Sequence, residues 1–249
     1  MLPSMQQGVS IPSTTEGLTG LEKNITKHDL REIPAYGIAE AAGYLRLPKS
    51  TLRAWMLGQQ RFRAVINIAD RVGKRLSFIN LVEAFVLAGI RREHSIPLPK
   101  VRNAVAYLGR TFKTRRPLAE EQFETDGVEL FVEKFGALIG ATQEGQIQLR
   151  EVIRDRLKRV RRDPKGLPEK IVLFRAPMLA GAKASDATGD VIIDPRFSFG
   201  RPVLDGYGLR TAILAERFYA GESVEALAED YGVPSEVVQN ALRSEPRAA

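Results

Sequence analysis

Apolar residues recur at helical spacing in a short pair of segments near the start of the chain. The first set comprises Ile38, Ala41, Ala42 and Leu45. This spacing places the four side chains on one narrow helix face. Leu47-Pro48 interrupts that helix, because proline cannot extend the hydrogen-bond ladder but suits the start of a new helix. A second helix is predicted from about Lys49 to Leu57, with Leu52, Trp55 and Met56 facing inward.

The pattern then changes to two short β-prone pieces, Ala64 to Ile68 and Leu76 to Ile79. They flank a basic, glycine-containing stretch, as the arms of a hairpin flank its tip. That stretch holds Arg71, Gly73, Lys74 and Arg75. Two further helices are predicted, from Asn80 to Arg92 and from about Pro99 to Leu108 after the start signal at Pro97.

The middle of the chain gives a mixed pattern. A hairpin is predicted from Gln122 to Phe135, because Val128, Leu130 and Val132 alternate with polar residues after a Thr-Asp-Gly turn. Residues 146–162 are amphipathic over a predicted helix, and residues 171–174 form a candidate buried strand. The small, polar stretch 181–189 is predicted to be a flexible loop.

Three helices are predicted at the end of the chain, over 209–219, 224–231 and 235–242. Ser223 is a good N-cap for the second of these helices, and Gly232 is the expected glycine just after its end. The last helix is predicted to turn its polar residues outward. They are Ser235, Gln239, Asn240 and Arg243.

These elements predict a mainly α protein with a minor β component. The expected order is a lead-in over residues 1–30 with little apolar periodicity and mostly disordered, a winged helix-turn-helix over 31–112, a small mixed α/β connecting region over 113–190, and a helix-turn-helix-like three-helix domain over 191–249.

Composition excludes several classes of protein. The 249-residue chain has no cysteine, which rules out disulfides, thiolate metal sites and cysteine nucleophiles. It has neither an apolar run long enough to span a bilayer nor a signal-peptide pattern. We therefore expect a cytoplasmic protein with no membrane partner.

Charge is concentrated in the early part of the chain. Residues 31–116 hold 17 Lys or Arg against five Asp or Glu, a net +12, whereas the whole chain is only +7. A localised positive field attracts a polyanion, and release of counterions from nucleic acid is the usual source of binding energy. Together with the helix-turn-helix pattern, this predicts a DNA-binding module.

The predicted DNA contacts lie on the second helix and on the basic hairpin. They are Lys49, Ser50, Thr51, Arg53, Arg61, Arg63, Arg71, Lys74 and Arg75. A helix N-terminus with hydroxyls and cations suits a phosphate or a base edge. The alternative is a helical core whose arginines are merely solvated.

A second nucleic-acid or toxin contact is a further candidate. It would comprise Arg150, Arg154, Lys158, Arg161, Ser235, Gln239 and Arg243. A solvated helix face explains the four basic residues of the middle region equally well. Residues 196–249 carry six basic and eight acidic residues, with acidic side chains clustered on the predicted helix 224–231. This charge favours protein contact or dimerisation there, with weak DNA contact through Arg243 as an alternative.

The early basic segment resembles the N-terminal winged helix of MerR-like regulators. The likeness lies in Tyr36-Gly37-Ile38-Ala39-Glu40-Ala41-Ala42, Leu52-Arg53-Ala54-Trp55 and Leu76-Ser77-Phe78-Ile79-Asn80-Leu81-Val82-Glu83. The resemblance implies that Arg53 contacts a phosphate and that residues 61–75 form the wing. Ala54 and Met56 depart from the family pattern, which usually has an aromatic residue and a glutamate there. The family's sensing cysteines are missing, so no metal and no cofactor are expected.

The end of the chain resembles a small helix-turn-helix family found in antitoxins of VapBC-type modules. The likeness lies in residues 191–196, 200–206, 220–223 and 228–233, and the usual Gly-Thr-Arg is replaced by Gly206-Tyr207-Gly208. The resemblance implies an antitoxin that binds operator DNA as a homodimer, represses its own operon and neutralises a PIN-like ribonuclease toxin. A stand-alone MerR-like transcriptional regulator is the alternative.

An enzyme is a third possibility that the residues support poorly. Asp186, Asp190 and Asp194 could be imagined as magnesium ligands, but aspartates are common in such turn-rich stretches for backbone reasons. His28 and His94 lie in no hydrolase motif, and no phosphate-cradling glycine loop is present. We therefore predict no catalytic residue.

Overall fold

Helices form most of the regular structure in the computed structural model, which describes residues 29–59, 62–94, 98–121, 123–139, 142–176 and 188–245. The predicted class, mainly α with a minor β component, is confirmed. Apart from its last two residues, the predicted N-terminal lead-in falls outside the described residues, as does most of the predicted loop over 181–189.

The N-terminal part places two short helices against a long buried one. Strand β1 (Tyr36–Gly37) leads into α1 (Ile38–Tyr44) and α2 (Lys49–Leu57), and strand β2 (Arg75–Leu76) leads into α3 (Phe78–His94). Helix α4 (Leu98–Thr111) follows. Residues 77–90 of the α3 segment are all buried. A helix that is covered on all sides is the centre of a core, and α3 has that position here.

The hairpin predicted over Gln122 to Phe135 is wrong. A single π-helical turn (Phe123–Gly127) runs directly into helix α5 (Val128–Ile139), and α6 (Gln143–Leu157) follows. The ring of Phe123 meets that of Phe131 edge-on, with centroids 6.2 Å apart. Val128, Phe131 and Val132 are buried at helical spacing, so the alternation seen in sequence was a subset of a helical pattern.

Helix α6 is shorter than predicted, because the chain after Leu157 enters a sheet. Strands β3 (Val160–Arg162), β4 (Pro168–Phe174), β5 (Val191–Ile193) and β6 (Val203–Leu204) form an antiparallel sheet in that order. Its two faces are both buried: Ile171 and Ile193 are register partners on the main core face, and Val172 pairs with Ile192 on the other. The candidate strand at 171–174 is thereby confirmed.

The last part of the chain forms three helices, α7 (Thr211–Tyr219), α8 (Val224–Tyr231) and α9 (Ser235–Ser244). The predicted capping is confirmed: Ser223 Oγ accepts the Ala226 N–H at 3.1 Å, and Gly232 has a left-handed φ of 63°. Asn240 was predicted to point outward, and this is wrong. Its side chain is buried and donates to the Gly189 carbonyl at 3.0 Å, which attaches α9 to the sheet.

One hydrophobic core joins the N-terminal, middle and C-terminal parts of the described chain. Its buried members run from Tyr36 to Ala241 and include residues of α3, α6 and β4. Helix α3 packs on α6, and α9 packs on β4 and β5. Arg201 also forms an ion pair with Glu40 of α1. A fragment cut near residue 116 or 190 would therefore expose core side chains of α3 or of the sheet.

Candidate nucleic-acid interface

Helices α1 and α2 form a compact helix-turn-helix unit. The Gly37 N–H donates to Glu40 Oε2 at 3.2 Å, which caps the start of α1. The turn is made by Arg46 at a left-handed φ of 51°, and the Leu47 N–H returns to the Ala42 carbonyl at 2.9 Å. Pro48 then opens α2, and its carbonyl accepts the N–H groups of residues 51 and 52. The predicted break at Leu47-Pro48 is confirmed.

Helix α2 separates its apolar and polar residues cleanly. Leu52, Trp55 and Met56 are almost fully buried, as predicted from their spacing. On the other face Lys49, Ser50 and Arg53 are exposed, whereas Thr51 is only half-buried. No side chain caps the start of α2. Backbone N–H groups at a helix N-terminus are a favourable place for an anion.

The basic hairpin exists at its tip but not as the two predicted arms. The Asp70 and Arg75 backbones exchange hydrogen bonds of 3.1 and 2.9 Å, and Lys74 adopts a left-handed φ of 53° between them. Strand β2 pairs with β1, where Tyr36 faces Leu76, and not with residues 64–68. Those residues are instead held by the Trp55 carbonyl, which accepts two N–H groups at 2.8 and 3.1 Å.

The tip projects its cations beside α2. Arg71, Lys74 and Arg75 are exposed, and Arg71 Nη2 lies 3.5 Å from the Leu57 carbonyl at the end of α2. Arg75 Nη2 donates to the Ala35 carbonyl at 3.0 Å, so this residue also braces the base of the tip. Arg63 is exposed on the segment before the tip, and Arg61 lies outside the described residues. We refer below to residues 62–76 as the wing.

Asn80 at the start of α3 holds the segments on either side of the wing tip. Its Oδ1 accepts the N–H of Ala69 at 2.8 Å and that of Ser77 at 3.2 Å, while its Nδ2 donates to the Asn67 carbonyl at 2.8 Å. All these groups are backbone atoms of the wing or its base. Asn80 is therefore a positioning residue that sequence patterns alone did not identify.

Three arginines that sequence reasoning did not single out extend the basic surface from the wing to α4. Arg102 Nε donates to the Arg63 carbonyl at 2.8 Å, and its guanidinium lies 5.3 Å from the centre of the Phe62 ring. Arg102, Arg110 and Arg115 line a shallow concavity of about 410 Å³ between the wing, α4 and residues 114–117. The presence of both Arg102 and Arg110 near the predicted helix after Pro97 was the available signal.

Most acidic residues within 31–116 are paired, hydrogen-bonded or buried. Glu32 pairs with Arg116 and Glu40 pairs with Arg201. Asp70 Oδ1 accepts the Gly73 N–H at 2.9 Å within the wing turn. Glu83 is buried, and this burial raises its pKa to about 8, so its side chain is mostly neutral at pH 7. The positive charge of α2 and the wing is therefore opposed by few exposed carboxylates.

Helices α8 and α9 repeat the backbone plan of α1 and α2. Gly232 takes the left-handed turn position of Arg46, and Pro234 opens α9 as Pro48 opens α2. The Val233 N–H returns to the Ala228 carbonyl at 3.0 Å, the counterpart of the bond between residues 47 and 42. The two prolines stand at positions 48 and 234, so the same plan recurs 186 residues later.

The two units present different chemistry on the same backbone. Counting from each proline, Lys49, Ser50 and Arg53 of α2 correspond to Ser235, Glu236 and Gln239 of α9. Gln239 and Arg243 are exposed, and Arg243 Nη2 donates to Gln239 Oε1 at 3.4 Å. Ser235 is half-buried. On α8, Glu225 and Glu229 are exposed. Glu222, just before α8, and Asp230 in its last turn both pair with Arg217. The face that is cationic in the first unit is thus nearly neutral in the second.

The predicted second basic surface is partly neutralised. Arg150 and Arg154 both bind Glu129, at 2.8 and 2.9 Å. Lys158 and Arg161 are exposed but lie after the end of α6, on the approach to β3 and on β3 itself. These four side chains therefore do not form one continuous stripe along a helix.

The candidate metal ligands have structural partners. Asp190 accepts the Ala176 N–H at 2.7 Å, and Asp194 is buried in an ion pair with Arg196 at 2.5 Å. Asp186 and His28 lie outside the described residues, and His94 is the last residue of α3. Within the described ranges, no group of three or more His, Asp or Glu residues could hold a metal ion. No helix there is both long and apolar enough to cross a membrane.

Two segments match known protein families. Residues 34–105, which contain both α1–α2 and the wing, match a family described as "Putative DNA-binding HTH domain". Residues 191–243, which contain α7 to α9, match a family described as "Protein of unknown function (DUF433)". The first unit is therefore similar to the helix-turn-helix domains of that family.

Individual relatives extend the likeness over most of the chain. "Putative antitoxin VapB45" of Mycobacterium tuberculosis is 29% identical over 236 residues, covering 85% of this chain and 93% of that protein. "Uncharacterized protein Rv2308" of the same organism is 23% identical, covering 85% and 89%. A crystal structure of Rv2018 from Mycobacterium tuberculosis matches with a TM-score of 0.64 at 26% identity, over 84% of this chain and 97% of that one.

Proposed function

We propose that this protein is the antitoxin of a type II toxin–antitoxin module. It binds operator DNA, represses its own operon and neutralises a PIN-like ribonuclease. The observation that carries the DNA part is the exposed cationic face of α2 beside the basic wing, on a unit whose carboxylates are mostly paired or buried. The likeness to a protein named as an antitoxin, over most of both chains, supports the toxin part.

In the proposed complex, α2 lies in the major groove and the wing contacts the flanking backbone. Lys49 and Ser50 at the helix start reach a phosphate or a base edge, and Arg53, one turn later on the same exposed face, contacts a phosphate. Arg71 and Lys74 at the wing tip supply further phosphate contacts. A single short recognition helix reads few bases, so the protein binds as a homodimer on two half-sites.

The toxin contact is proposed to use a surface away from α2 and the wing. An acidic nuclease site is complemented by cations, and Lys158 and Arg161 of the middle region are exposed. The exposed carboxylates of α8, Glu225 and Glu229, form a second charged surface, which would suit a basic partner.

The DNA proposal is tested with single substitutions in the full chain, because the N-terminal, middle and C-terminal parts share one core. Fluorescence anisotropy on a labelled duplex from upstream of the operon is measured at several salt concentrations. Lys49→Gln and Arg53→Gln should each weaken binding roughly tenfold and lower the slope of log affinity against log salt by about 1. The matched control is Lys165→Gln, which removes an exposed cation from the turn after β3 and should change affinity less than twofold.

Equal losses in all three variants would mean that any surface cation contributes, and the assigned face would be wrong. The toxin part is tested separately by co-expression with the neighbouring reading frame and affinity purification. A nuclease retained at constant stoichiometry supports the antitoxin. Specific operator binding without any nuclease partner would instead indicate a stand-alone transcriptional regulator.

A further inference from the structure

A cavity of about 450 Å³ opens where the two helix-turn-helix units meet the middle region. Its walls come from the end of α1 and the following turn, from α3, α6, β4 and α9. Five arginines line it. They are Arg46, Arg156, Arg159, Arg175 and Arg243. Among the described residues that line the cavity, Asp155 is the single acidic one.

Three of the five guanidinium groups are held in place by carbonyls and aromatic rings. Arg159 Nε donates to the Val172 carbonyl at 2.9 Å, and a second nitrogen of the same group donates to the Leu173 carbonyl. The guanidinium carbons of Arg156 and Arg159 lie 5.0 and 5.3 Å from the centre of the Phe85 ring. Arg46 stacks at 4.3 Å over Phe174. Cations supported in this way lose little further side-chain entropy when they bind a ligand.

The surroundings of Arg159 disfavour its charged form. Burial, with the charges of Arg156 and Arg175, lowers the pKa of Arg159 to about 10, although Asp155 and Asp190 partly oppose this effect. The group is still charged at neutral pH. Several like charges in a half-enclosed space repel one another, and an anion placed among them would relieve that repulsion.

We propose that this cavity binds a small phosphorylated molecule of nucleotide size. Arginine binds phosphate with two parallel N–H bonds, and a ligand with several phosphates can engage several guanidinium groups at once. The volume lies within the range of small-ligand sites and is larger than one inorganic phosphate needs. The proposal concerns residues that lie outside the predicted DNA face of α2 and the wing, and it stands whether or not the protein is an antitoxin.

The position of the cavity gives the ligand a way to affect DNA binding. Arg46 forms the turn directly before Pro48 and α2, and its guanidinium donates to the Arg243 carbonyl near the end of α9. A ligand between these residues contacts both helix-turn-helix units. It should therefore change the orientation or rigidity of α2 relative to the rest of the molecule.

The test uses isothermal titration calorimetry on the full chain with inorganic phosphate, pyrophosphate and a nucleoside triphosphate as probes. We expect saturable binding of pyrophosphate and the triphosphate that is at least tenfold tighter than that of phosphate. Arg175→Gln and Arg243→Gln should each weaken triphosphate binding roughly ten- to a hundredfold. Arg175→Lys keeps the positive charge but loses the planar guanidinium. Its affinity for the triphosphate should lie between that of the parent and that of Arg175→Gln.

Arg115→Gln is the control, since it removes an exposed arginine from the separate concavity beside α4. Absence of saturable binding at millimolar probe would overturn the proposal, as would an equal loss in Arg115→Gln, which would indicate nonspecific attraction. Operator binding is measured in the same variants without any probe. If Arg175→Gln and Arg243→Gln weaken DNA binding as strongly as Lys49→Gln while no small probe binds, the cavity belongs to the DNA interface and the proposal is wrong.

Discussion

Burial of Glu83 should make the stability of this protein fall as pH rises through neutrality. Glu83 belongs to α3, and only 1% of the residue is exposed. Asn80 Nδ2 donates a hydrogen bond to its Oε2 at 3.4 Å. Desolvation raises its pKa from 4.5 to about 8; the bond from Asn80 and the charge of Arg116 act in the opposite direction, and the charge of Glu120 adds to the increase. The folded protein therefore holds a proton on Glu83 over a pH range where the unfolded chain has lost it.

The sign and size of the effect follow from proton linkage. Between the two pKa values the native state binds one more proton than the unfolded state, so the free energy of unfolding decreases by about 1.4 kcal/mol per pH unit. The stabilisation is complete below pH 4.5 and lost as pH approaches 8. From pH 5 to pH 7, Glu83 should lower the free energy of unfolding by roughly 2–3 kcal/mol.

Glu83→Gln removes this titration while keeping an acceptor for Asn80. Urea unfolding at pH 5, 6 and 7 is followed by the fluorescence of Trp55, the single tryptophan of the chain, which is 1% exposed. In the variant, the free energy of unfolding should not show the decrease with pH that Glu83 causes in the parent. The difference in unfolding free energy between the two proteins should therefore grow steadily with pH. Glu225→Gln, an exposed site on α8, should retain the parent's fall because Glu83 is intact. If the free energy of unfolding changed with pH equally in the parent and in Glu83→Gln, the reasoning would be refuted.

Further predictions concern the turns and caps that hold the two helix-turn-helix units. Gly232→Ala should cost about 1 kcal/mol of unfolding free energy, because φ is +63° but a Cβ would meet nothing within 4 Å. Gly200→Ala should cost about 2–4 kcal/mol, since φ is +72° and a Cβ would also collide with the buried Tyr36 hydroxyl. Ser223→Ala should cost about 1 kcal/mol through loss of the cap on α8. Urea unfolding measures all three, and equal costs for the two glycine variants would contradict the contact with Tyr36.

Local patterns predicted the helices of both terminal units well. Helical spacing, a proline at the helix start and a glycine at the helix end act over a few residues, so they are visible without knowledge of the fold. This is why α1, α2, α8 and α9 lie close to their predicted positions, and why Leu52, Trp55 and Met56 face inward as expected. The middle hairpin failed for the opposite reason, because Val128 and Val132 fit a period of two and a helical period equally well.

Contacts between distant segments were not predictable in this way. The wing pairs β2 with β1 because Tyr36–Gly37 offers an open edge, and nothing near residue 64 signals that choice. Asn80 was part of a recognised motif, but its role in holding the wing depends on carbonyls and N–H groups that only the fold brings together. The sequence pattern predicted that Asn240 points outward, but in the fold its side chain donates to the distant Gly189 carbonyl.

The sequence by itself determined that the chain is mainly helical, that its net positive charge is concentrated within residues 31–116, and that a helix-turn-helix begins near residue 37. The tertiary structure alone decided which charges remain exposed. It buries Glu83, pairs Glu32 and Glu40 with distant arginines, and gathers arginines from four separate segments around one cavity. Net charge is a sum over residues, whereas an electrostatic field depends on where each charge lies and which partner it has.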